Sequence, residues 1–470
     1  MTSPANADEV DGLPVPERYR AAAVVLLGIV LTALDGSVVN LALPAIARDL
    51  NSSAAGSVWV VNAFQLAALS MLLPLAALGE RIGYRRVYLG GLALFTLASL
   101  LCLFARSLPM LAAARGMQGL GAAGVMAVNG ALLRLIYPRH QFGRGIAINS
   151  AVVAASTVAG PSVAAAVLSV ASWPWLFVPN LPLGLLVLAI GRVALPYNRP
   201  GARLTSGVQA RDVLLNALMF SLVFLGAQTL GQRAGAEPGI STTGLLLLGA
   251  GVCVGWIYLR RQWHLPRPLF PIDLLRLPVF GLSMCTSVAS FAAQTLAFVA
   301  LPFLLIEGWG RSPGQAGLLL TVWPAAVVLV APIAGRMIGR YPGGLLGGIG
   351  LFLLACGLAL LALLDADAHV LDIGWRMALC GVGFALFQSP NNHTILTSGP
   401  PDRSGAAGAM LGSARLTGQT LGAVIVGLIF AVAGAQHGRG PVLALGLAAG
   451  FAGVAALFSL MRLRYPLAAR

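Results

Sequence analysis

The chain has 470 residues, of which 58% are hydrophobic and 10% are charged, and its mean hydropathy is +0.86. A water-soluble globular protein of this length does not sustain such a composition, so the sequence predicts a polytopic membrane protein. Its net charge of +15 is explained by basic loops that face anionic lipid, and it requires no nucleic-acid partner.

Fourteen apolar runs are long enough to cross a bilayer as helices of about twenty residues. The first twenty residues are polar and lack the basic region of a signal peptide, so the first run is predicted to be an uncleaved span. In chain order the runs cover residues 21–47, 54–78, 87–105, 109–133, 145–170, 175–195, 212–231, 241–259, 279–306, 313–335, 345–364, 373–396, 407–434 and 441–461.

The arginines are unevenly distributed over the predicted loops, and the chain contains no lysine. With the N-terminus in the cytoplasm, 22 of the 30 arginines fall on cytoplasmic termini, loops and helix edges, and two, Arg115 and Arg415, fall within spans. This bias predicts two cytoplasmic termini and an integral protein of the inner membrane of a bacterium. The six arginines on the other side are Arg48, Arg106, Arg233, Arg311, Arg376 and Arg439.

Asp35 lies in the middle of the first run, and no other acidic residue lies deep inside a predicted span. A carboxylate at that depth costs about 2.5–3.5 kcal/mol on insertion scales, so it is a functional candidate. It would serve proton coupling, cation binding or both; the alternative is an aspartate that only hydrogen-bonds a neighbouring helix. The sequence therefore favours a transporter.

The sequence contains no phosphate-binding glycine loop, no clustered metal ligands and no catalytic motif. Its five cysteines are scattered singly through apolar segments, unlike those of a zinc or redox site. The sequence therefore predicts no enzyme activity, no cofactor and no metal.

Residues 34–44, which read LDGSVVNLALP, resemble the first-helix motif of the fourteen-helix drug:proton antiporters in the major facilitator superfamily. Residues 173–184 resemble the sixth-helix signature of that family, with Pro174 in place of a basic residue. Residues 312–317 resemble the loop before its tenth helix, and Arg415 matches the arginine of its thirteenth helix. The resemblance therefore extends over nearly the whole chain.

The loop between the second and third runs resembles the gating loop of the superfamily, with Glu80 in place of Asp and Ala76 in place of Gly. Such a loop can pair with helix ends when the cytoplasmic side is closed; the alternative is charge that only sets topology. In the second half, Gly339 occupies the position that corresponds to Glu80, so a charge-paired gate is predicted in the first half only. The residues assigned to the gate are Gly79, Glu80, Arg81, Gly83, Arg85 and Arg86.

Residues 115–123 resemble the arginine-bearing motif of the fourth helix, which implies that Arg115 acts with Asp35 in proton coupling. Gly160 and Pro161 resemble the antiporter motif at the interface of the two halves. Here Ala164 and Ala165 replace the usual pair of glycines. Small residues still allow close packing, but this hallmark of export is weakened.

The resemblance implies an all-α major facilitator fold with both termini cytoplasmic and 14 transmembrane helices in a 6+2+6 arrangement. A monomer is expected, but the sequence does not determine the oligomeric state. The expected segments are an N-terminal tail (1–20), a six-helix bundle (21–195), a linker (196–211), inserted helices 7 and 8 (212–260), a second linker (261–278), a second six-helix bundle (279–462) and a C-terminal tail (463–470), with the tails and linkers cytoplasmic.

Bundles of this type work by alternating access around a site near the membrane midplane. Burial favours a neutral carboxyl group and a nearby arginine favours a charged one, so Asp35 is predicted to bind a proton outside and release it inside, in competition with a lipophilic cation. The candidate substrate contacts, each with a plain helix contact as its alternative, are Asn40, Asn62, Gln65, Asn129, Gln294, Glu307, Asn391 and Asn392.

The first functional hypothesis is proton-coupled export of amphipathic or cationic drugs or related hydrophobic compounds, with a small-molecule substrate, protons and membrane lipid as partners. The second is a proton-coupled importer, or a lipid or metabolite facilitator, on the same fold. The third is a membrane sensor or scaffold without transport. The sequence determines neither the substrate nor the number of protons exchanged.

Overall fold

The computed structural model describes residues 12–138, 141–197, 210–232, 242–263, 271–365, 367–398, 404–433 and 439–465. The long helices in these ranges are labelled α1 to α14. They are α1 (Glu17–Asp49), α2 (Trp59–Ile82), α3 (Tyr84–Leu103), α4 (Leu108–Ile136), α5 (Phe142–Val170), α6 (Asn180–Ala194), α7 (Ala210–Gln232), α8 (Thr242–Gln262), α9 (Pro278–Phe303), α10 (Pro313–Met337), α11 (Gly343–Ala362), α12 (Val370–Thr397), α13 (Ser404–Ala433) and α14 (Arg439–Met461).

Within the described ranges, twelve helical segments are long and apolar enough to cross a membrane. The chain is therefore an all-α integral membrane protein, as its composition predicts. Helices α5 and α7 are long but lie outside these twelve, so a total of fourteen crossings stays a prediction.

Local sequence determines where several helices begin and end. Ser107 caps α4 by accepting a hydrogen bond from the Met110 backbone N–H. Ser312 and Gln315 form a reciprocal capping box at the start of α10. Gly83, with φ of +105°, joins α2 directly to α3, and a residue with a side chain rarely adopts that conformation.

Helix contacts divide most of the chain into two bundles. Helices α1 to α6 pack against one another, as do α9 to α14, and the bundles meet chiefly where α5 contacts α10 and α2 contacts α13. The helices α7 and α8 pack on each other, and α7 also contacts α2 and α13. The inserted pair therefore lies beside the α2–α13 contact between the two bundles.

The helix ends define two opposite surfaces of the molecule. At one surface, the Trp173 indole N–H donates to Asp49 over 2.7 Å. A cavity of about 480 Å³ there is lined by the end of α1, the segments that follow α5 and α9, and the start of α10. We call this surface the Asp49 end. The opposite surface, the Gly83 end, carries the turns at Gly83 and Gly339, both of which have positive φ.

Candidate functional site

Asp35 forms an ion pair with Arg115 inside the first bundle. Arg115 Nη1 donates to Asp35 Oδ2, and the two residues are 1% and 5% exposed. Asp35 lies near the middle of α1, and Arg115 lies about two turns from the start of α4, so the pair is inside the bundle and towards the Asp49 end. The structure thus joins the two charges that the sequence assigned to proton coupling.

Three further polar residues complete the surroundings of the carboxylate. Gln118 Nε2 and Asn180 Nδ2 each donate to Asp35 Oδ1 over 2.9 Å. The same two nitrogen atoms approach Ser99 Oγ, at 2.8 Å for Gln118 and 3.3 Å for Asn180. We call Asp35, Ser99, Arg115, Gln118 and Asn180 the Asp35 cluster; it joins α1, α3, α4 and α6.

The Arg115 guanidinium has partners other than Asp35. Its Nε donates to the Val60 carbonyl over 3.2 Å, its Nη1 also donates to Gln118 Oε1 over 2.6 Å, and its Cζ lies 4.4 Å from the centre of the Phe64 ring. Close packing of α4 on α2 makes this possible, because a Cβ at Gly119 would lie 2.2 Å from the Phe64 carbonyl oxygen. A buried charge needs such a complete set of partners.

Gln118, Asn180 and Ser99 belong to the site but were not among the residues predicted from the sequence. Gln118 and Asn180 both lie inside stretches that resemble family motifs, so a signal for them was present. Ser99 lies in an apolar run with no motif, and only the packing of α3 on α4 brings it to Gln118.

The predicted gating loop caps a helix of its own bundle. Arg85 donates to the carbonyl of Leu195 over 3.1 Å and to that of Arg192, and its Cζ lies 3.9 Å from the centre of the Tyr197 ring. These carbonyls end α6, where a cation is favourable. Arg86 donates to the Ile82 carbonyl over 3.5 Å.

The other gating residues lie at the junction of α2 and α3. Gly79 is buried against Tyr84 and Val128, since a Cβ there would lie within 3 Å of each side chain. Glu80 and Arg81 are exposed at the end of α2.

The Gly160–Pro161 segment lies where α1, α5 and α10 meet. A Cβ at Gly160 would lie 1.9 Å from Ser37 Oγ of α1, and one at Gly317 of α10 would lie 2.4 Å from Ala165 Cβ and 2.9 Å from the Pro161 carbonyl oxygen. Close packing therefore persists at the position where alanine replaces glycine.

The eight candidate substrate contacts do not converge on one site. Glu307 follows α9 at the Asp49 end, whereas Asn391 is buried near the Gly83 end of α12. Asn129 donates to Asn149 over 3.2 Å. The remaining five are spread over four helices: Asn62 is fully buried, and Asn40, Gln65, Gln294 and Asn392 are half-buried.

Asn391 belongs to a second polar cluster that the sequence did not reveal. Arg462, 4% exposed, donates to Asn391 Oδ1 over 2.7 Å, to Ser283 Oγ over 2.9 Å and to Ser459 Oγ over 2.6 Å. Asn391 in turn donates to Ser287 Oγ over 2.8 Å. We call these five residues the Arg462 cluster. By sequence, Arg462 fits a cytoplasmic arginine near the end of the chain, and nothing in its surroundings indicates a buried cluster.

Arg415 lies in α13 close to the contact between the bundles. Its Cζ is 5.7 Å from the centre of the Phe291 ring, and its buried Nε has no hydrogen-bond acceptor among the described residues. The sequence placed this arginine inside a span, which the position of α13 supports.

Residues 25–423 match the family model described as Major Facilitator Superfamily. The chain is 48% identical to the uncharacterized transporter YebQ of Escherichia coli (strain K12) over 97% of this chain and 98% of that protein. It is 28% identical to the riboflavin transporter RibZ of Clostridioides difficile (strain 630), over 88% of this chain and 89% of the relative. It is 30% identical to the multidrug resistance protein Stp of Mycobacterium tuberculosis (strain CDC 1551 / Oshkosh), over 86% of this chain and 74% of that protein.

Proposed function

The chain belongs to the Major Facilitator Superfamily, and we propose that it is a proton-coupled antiporter that exports amphipathic, hydrophobic small molecules by alternating access. Cationic drugs are included in the substrate class that the sequence motifs suggest. The observation that carries the proposal is the Asp35 cluster, because it holds a titratable carboxylate inside the membrane with a complete set of donors.

Protonation of Asp35 would change the contacts of the whole cluster. A carboxylate accepts hydrogen bonds on both oxygens, whereas a protonated carboxyl group also donates and no longer neutralises Arg115. Arg115 would then be held by Gln118 Oε1 and the Val60 carbonyl. One proton therefore switches the contact between α1 and α4, which is the type of local change that biases a two-state transporter.

The same helix carries this change to the contact between the bundles. Ser37 follows Asp35 by two residues on α1 and packs against Gly160, while Leu41, one turn further, lies within 3.4 Å of a Cβ built on Gly317 of α10. Ser162 of α5 and Thr321 of α10 share a hydrogen bond of 2.7 Å. A small displacement of α1 would therefore alter the α5–α10 contact, across which the bundles rock.

The proposal includes fourteen crossings, two cytoplasmic termini, a monomeric protein and the inner membrane of a bacterium. Helices α5 and α7, 29 and 23 residues long, are long enough to supply the crossings beyond the twelve apolar ones. The arginine bias assigns the Gly83 end to the cytoplasm.

A second candidate is proton-coupled import, or transport of a lipid or metabolite, on the same fold. Two observations favour it: Ala164 and Ala165 replace glycines of the export motif, and one relative is named a riboflavin transporter. A sensor or scaffold without transport is the third candidate, and an intact Asp35–Arg115 pair argues against it because such a pair is costly to bury.

The proposed function is tested in proteoliposomes that contain the full chain and carry an imposed pH gradient. We expect proton-driven flux of a hydrophobic compound from a dye and drug panel, and proton release into unbuffered solution when that compound is added. The direction of flux relative to the proton distinguishes antiport from symport.

The decisive variant is Asp35→Asn, which keeps the shape of the side chain but cannot ionise. We expect it to fold and to lose both gradient-driven flux and proton release. Asp372→Asn is the matched control, because Asp372 is exposed and pairs with Arg376 one helical turn away. Flux in the Asp35→Asn variant equal to that of the native chain would contradict the proposal.

A further inference from the structure

Arg415 is a positive charge that has no acidic partner in the described part of the chain. The helix that carries it, α13, contains no Asp or Glu, and neither does α9, against which it packs. The acid of the first bundle's interior, Asp35, is already paired with Arg115. Among the described residues Arg415 forms no ion pair, and its Nε is buried without an acceptor.

The packing of α13 shows where the Arg415 side chain points. Gly418 and Gly422 press against α9, because a Cβ on either would lie within 2.5 Å of a carbonyl oxygen there. Leu416 belongs to a buried cluster that includes Ala68, Leu69 and Leu72 of α2. At 100° per residue, Arg415 lies on the helix surface between these two contacts, so it faces the region between the bundles.

The opposite face of α13 contributes to a different cavity, whose lining is mainly apolar. Ser413, Ala414 and Thr417 line a crevice of about 790 Å³ that α7, α9 and α14 also border. Arg415 does not line this crevice, which separates the charge from the side of α13 that faces the inserted helices.

Further groups in the region between the bundles have unused hydrogen-bonding capacity. Gln65 lies one turn from Leu69 on α2, and its buried Oε1 has no partner among the described residues. On α1, Asn40 Oδ1 is buried, and neither it nor a Cβ built on Gly36 would meet a partner or a close atom among the residues that the structure describes. The Phe291 ring beside Arg415 supplies an apolar face.

We propose that Arg415 binds an anionic group, a carboxylate or sulfonate, of the transported molecule, whose apolar part packs on Phe291. The substrate is then an amphipathic acid, unlike the lipophilic cation that the sequence motifs suggest. A guanidinium binds a carboxylate through two parallel hydrogen bonds, and such binding is strong where water is scarce. A cation in the same place would meet uncompensated positive charge. This inference rests on the proposed transport function and specifies its substrate class.

The test compares rhodamine B with its ethyl ester, which share a ring system and differ in one free carboxylate. Equilibrium binding to the full chain in lipid nanodiscs is measured by fluorescence polarisation, without a pH gradient and after subtraction of empty nanodiscs. We expect the acid to bind about tenfold more tightly than the ester, as hydrogen bonds to a charged group allow.

Substitution of the arginine then assigns the preference to one residue. Arg415→Gln should weaken binding of the acid about tenfold and change binding of the ester little, and Arg415→Lys should restore part of the loss. Arg462→Gln is the matched control: it removes a buried arginine near the Gly83 end and should leave the ratio of acid to ester unchanged.

The inference would be overturned if the two dyes bind equally, if the ester binds more tightly, or if the acid shows no saturable binding. It would also be overturned if the Arg415→Gln variant keeps the native ratio of acid to ester binding. The ratio in the native chain decides the matter even if that variant does not fold. Because no gradient is imposed, loss of proton-driven flux with the acid preference intact would refute only the proposed coupling.

Discussion

The Asp35 cluster and the Arg462 cluster are buried polar clusters in the first and the second bundle, and they lie towards opposite ends of the molecule. Each joins the first, fourth and sixth helices of its bundle, and in each an arginine is almost fully buried. The first cluster contains a carboxylate and lies towards the Asp49 end. The second contains no acid and lies at the Gly83 end, where hydroxyl, amide and carbonyl oxygens surround its arginine.

This difference separates a cluster that can change its charge from one that cannot. A proton can neutralise Asp35 and release its ion pair, but the groups around Arg462 do not titrate near neutral pH. The proposed coupling therefore belongs to the first bundle, and we propose a fixed structural role for the second cluster. The comparison predicts different responses to equivalent substitutions.

The largest expected difference is in the cost of removing each arginine. Arg115→Gln leaves a buried carboxylate without its charged partner, and such changes cost about 3–5 kcal/mol. Arg462→Gln leaves only neutral groups unpaired, for which about 1–3 kcal/mol is typical. We expect this order in the free energy of unfolding, measured by denaturant titration in detergent.

A double-mutant cycle provides the control for that measurement. Asp35→Asn combined with Arg115→Gln should cost less than the sum of the two single changes, because the double variant buries no isolated charge. Additive costs, or an Arg462→Gln variant as unstable as Arg115→Gln, would remove the distinction between the clusters.

The contact between the bundles gives the next largest effect. Gly160→Ala places a methyl group against Ser37, and overpacking of this kind costs about 1–3 kcal/mol. Ser37→Gly removes both clashing atoms and should restore stability and flux in the double variant. Thermal unfolding and proteoliposome flux test this, with Gly446→Ala as control, because a Cβ there meets no atom within 4 Å. Failure of Ser37→Gly to rescue would show that another contact limits Gly160.

The sequence predicts the membrane helices and part of the site, but not the contacts between distant helices. Membrane helices follow from length and hydropathy, and Asp35 and Arg115 stand out because charge is costly inside a span. The hydrogen bond between Asn391 and Arg462 could not be predicted, because 71 residues separate the two. An arginine near a chain end also fits a cytoplasmic anchor. Contacts between distant helices depend on packing, which periodicity does not encode.

The two glycine turns give a smaller and more local comparison. Gly83 and Gly339 have φ of +105° and +85°, so valine at either position should cost about 1–3 kcal/mol through backbone strain. Transport should fall more, about tenfold, for Gly83→Val, because Arg85 beside it caps α6, whereas the sequence around Gly339 contains no acid. Flux normalised to inserted protein measures this; equal losses would assign both turns the same role.

The smallest expected effect comes from making the second cluster resemble the first. Asn391→Asp supplies Arg462 with a carboxylate at a position now 2.7 Å from its Nη1, but it removes the donor to Ser287 and places negative charge near the Ser283 carbonyl. These changes oppose each other, so the free energy of unfolding should shift by only about 1 kcal/mol. The dependence of flux on pH should stay that of the native chain, because Asp35 is unchanged. A new proton-dependent step in the Asn391→Asp variant would show that the second bundle can also couple to protons once it holds an acid.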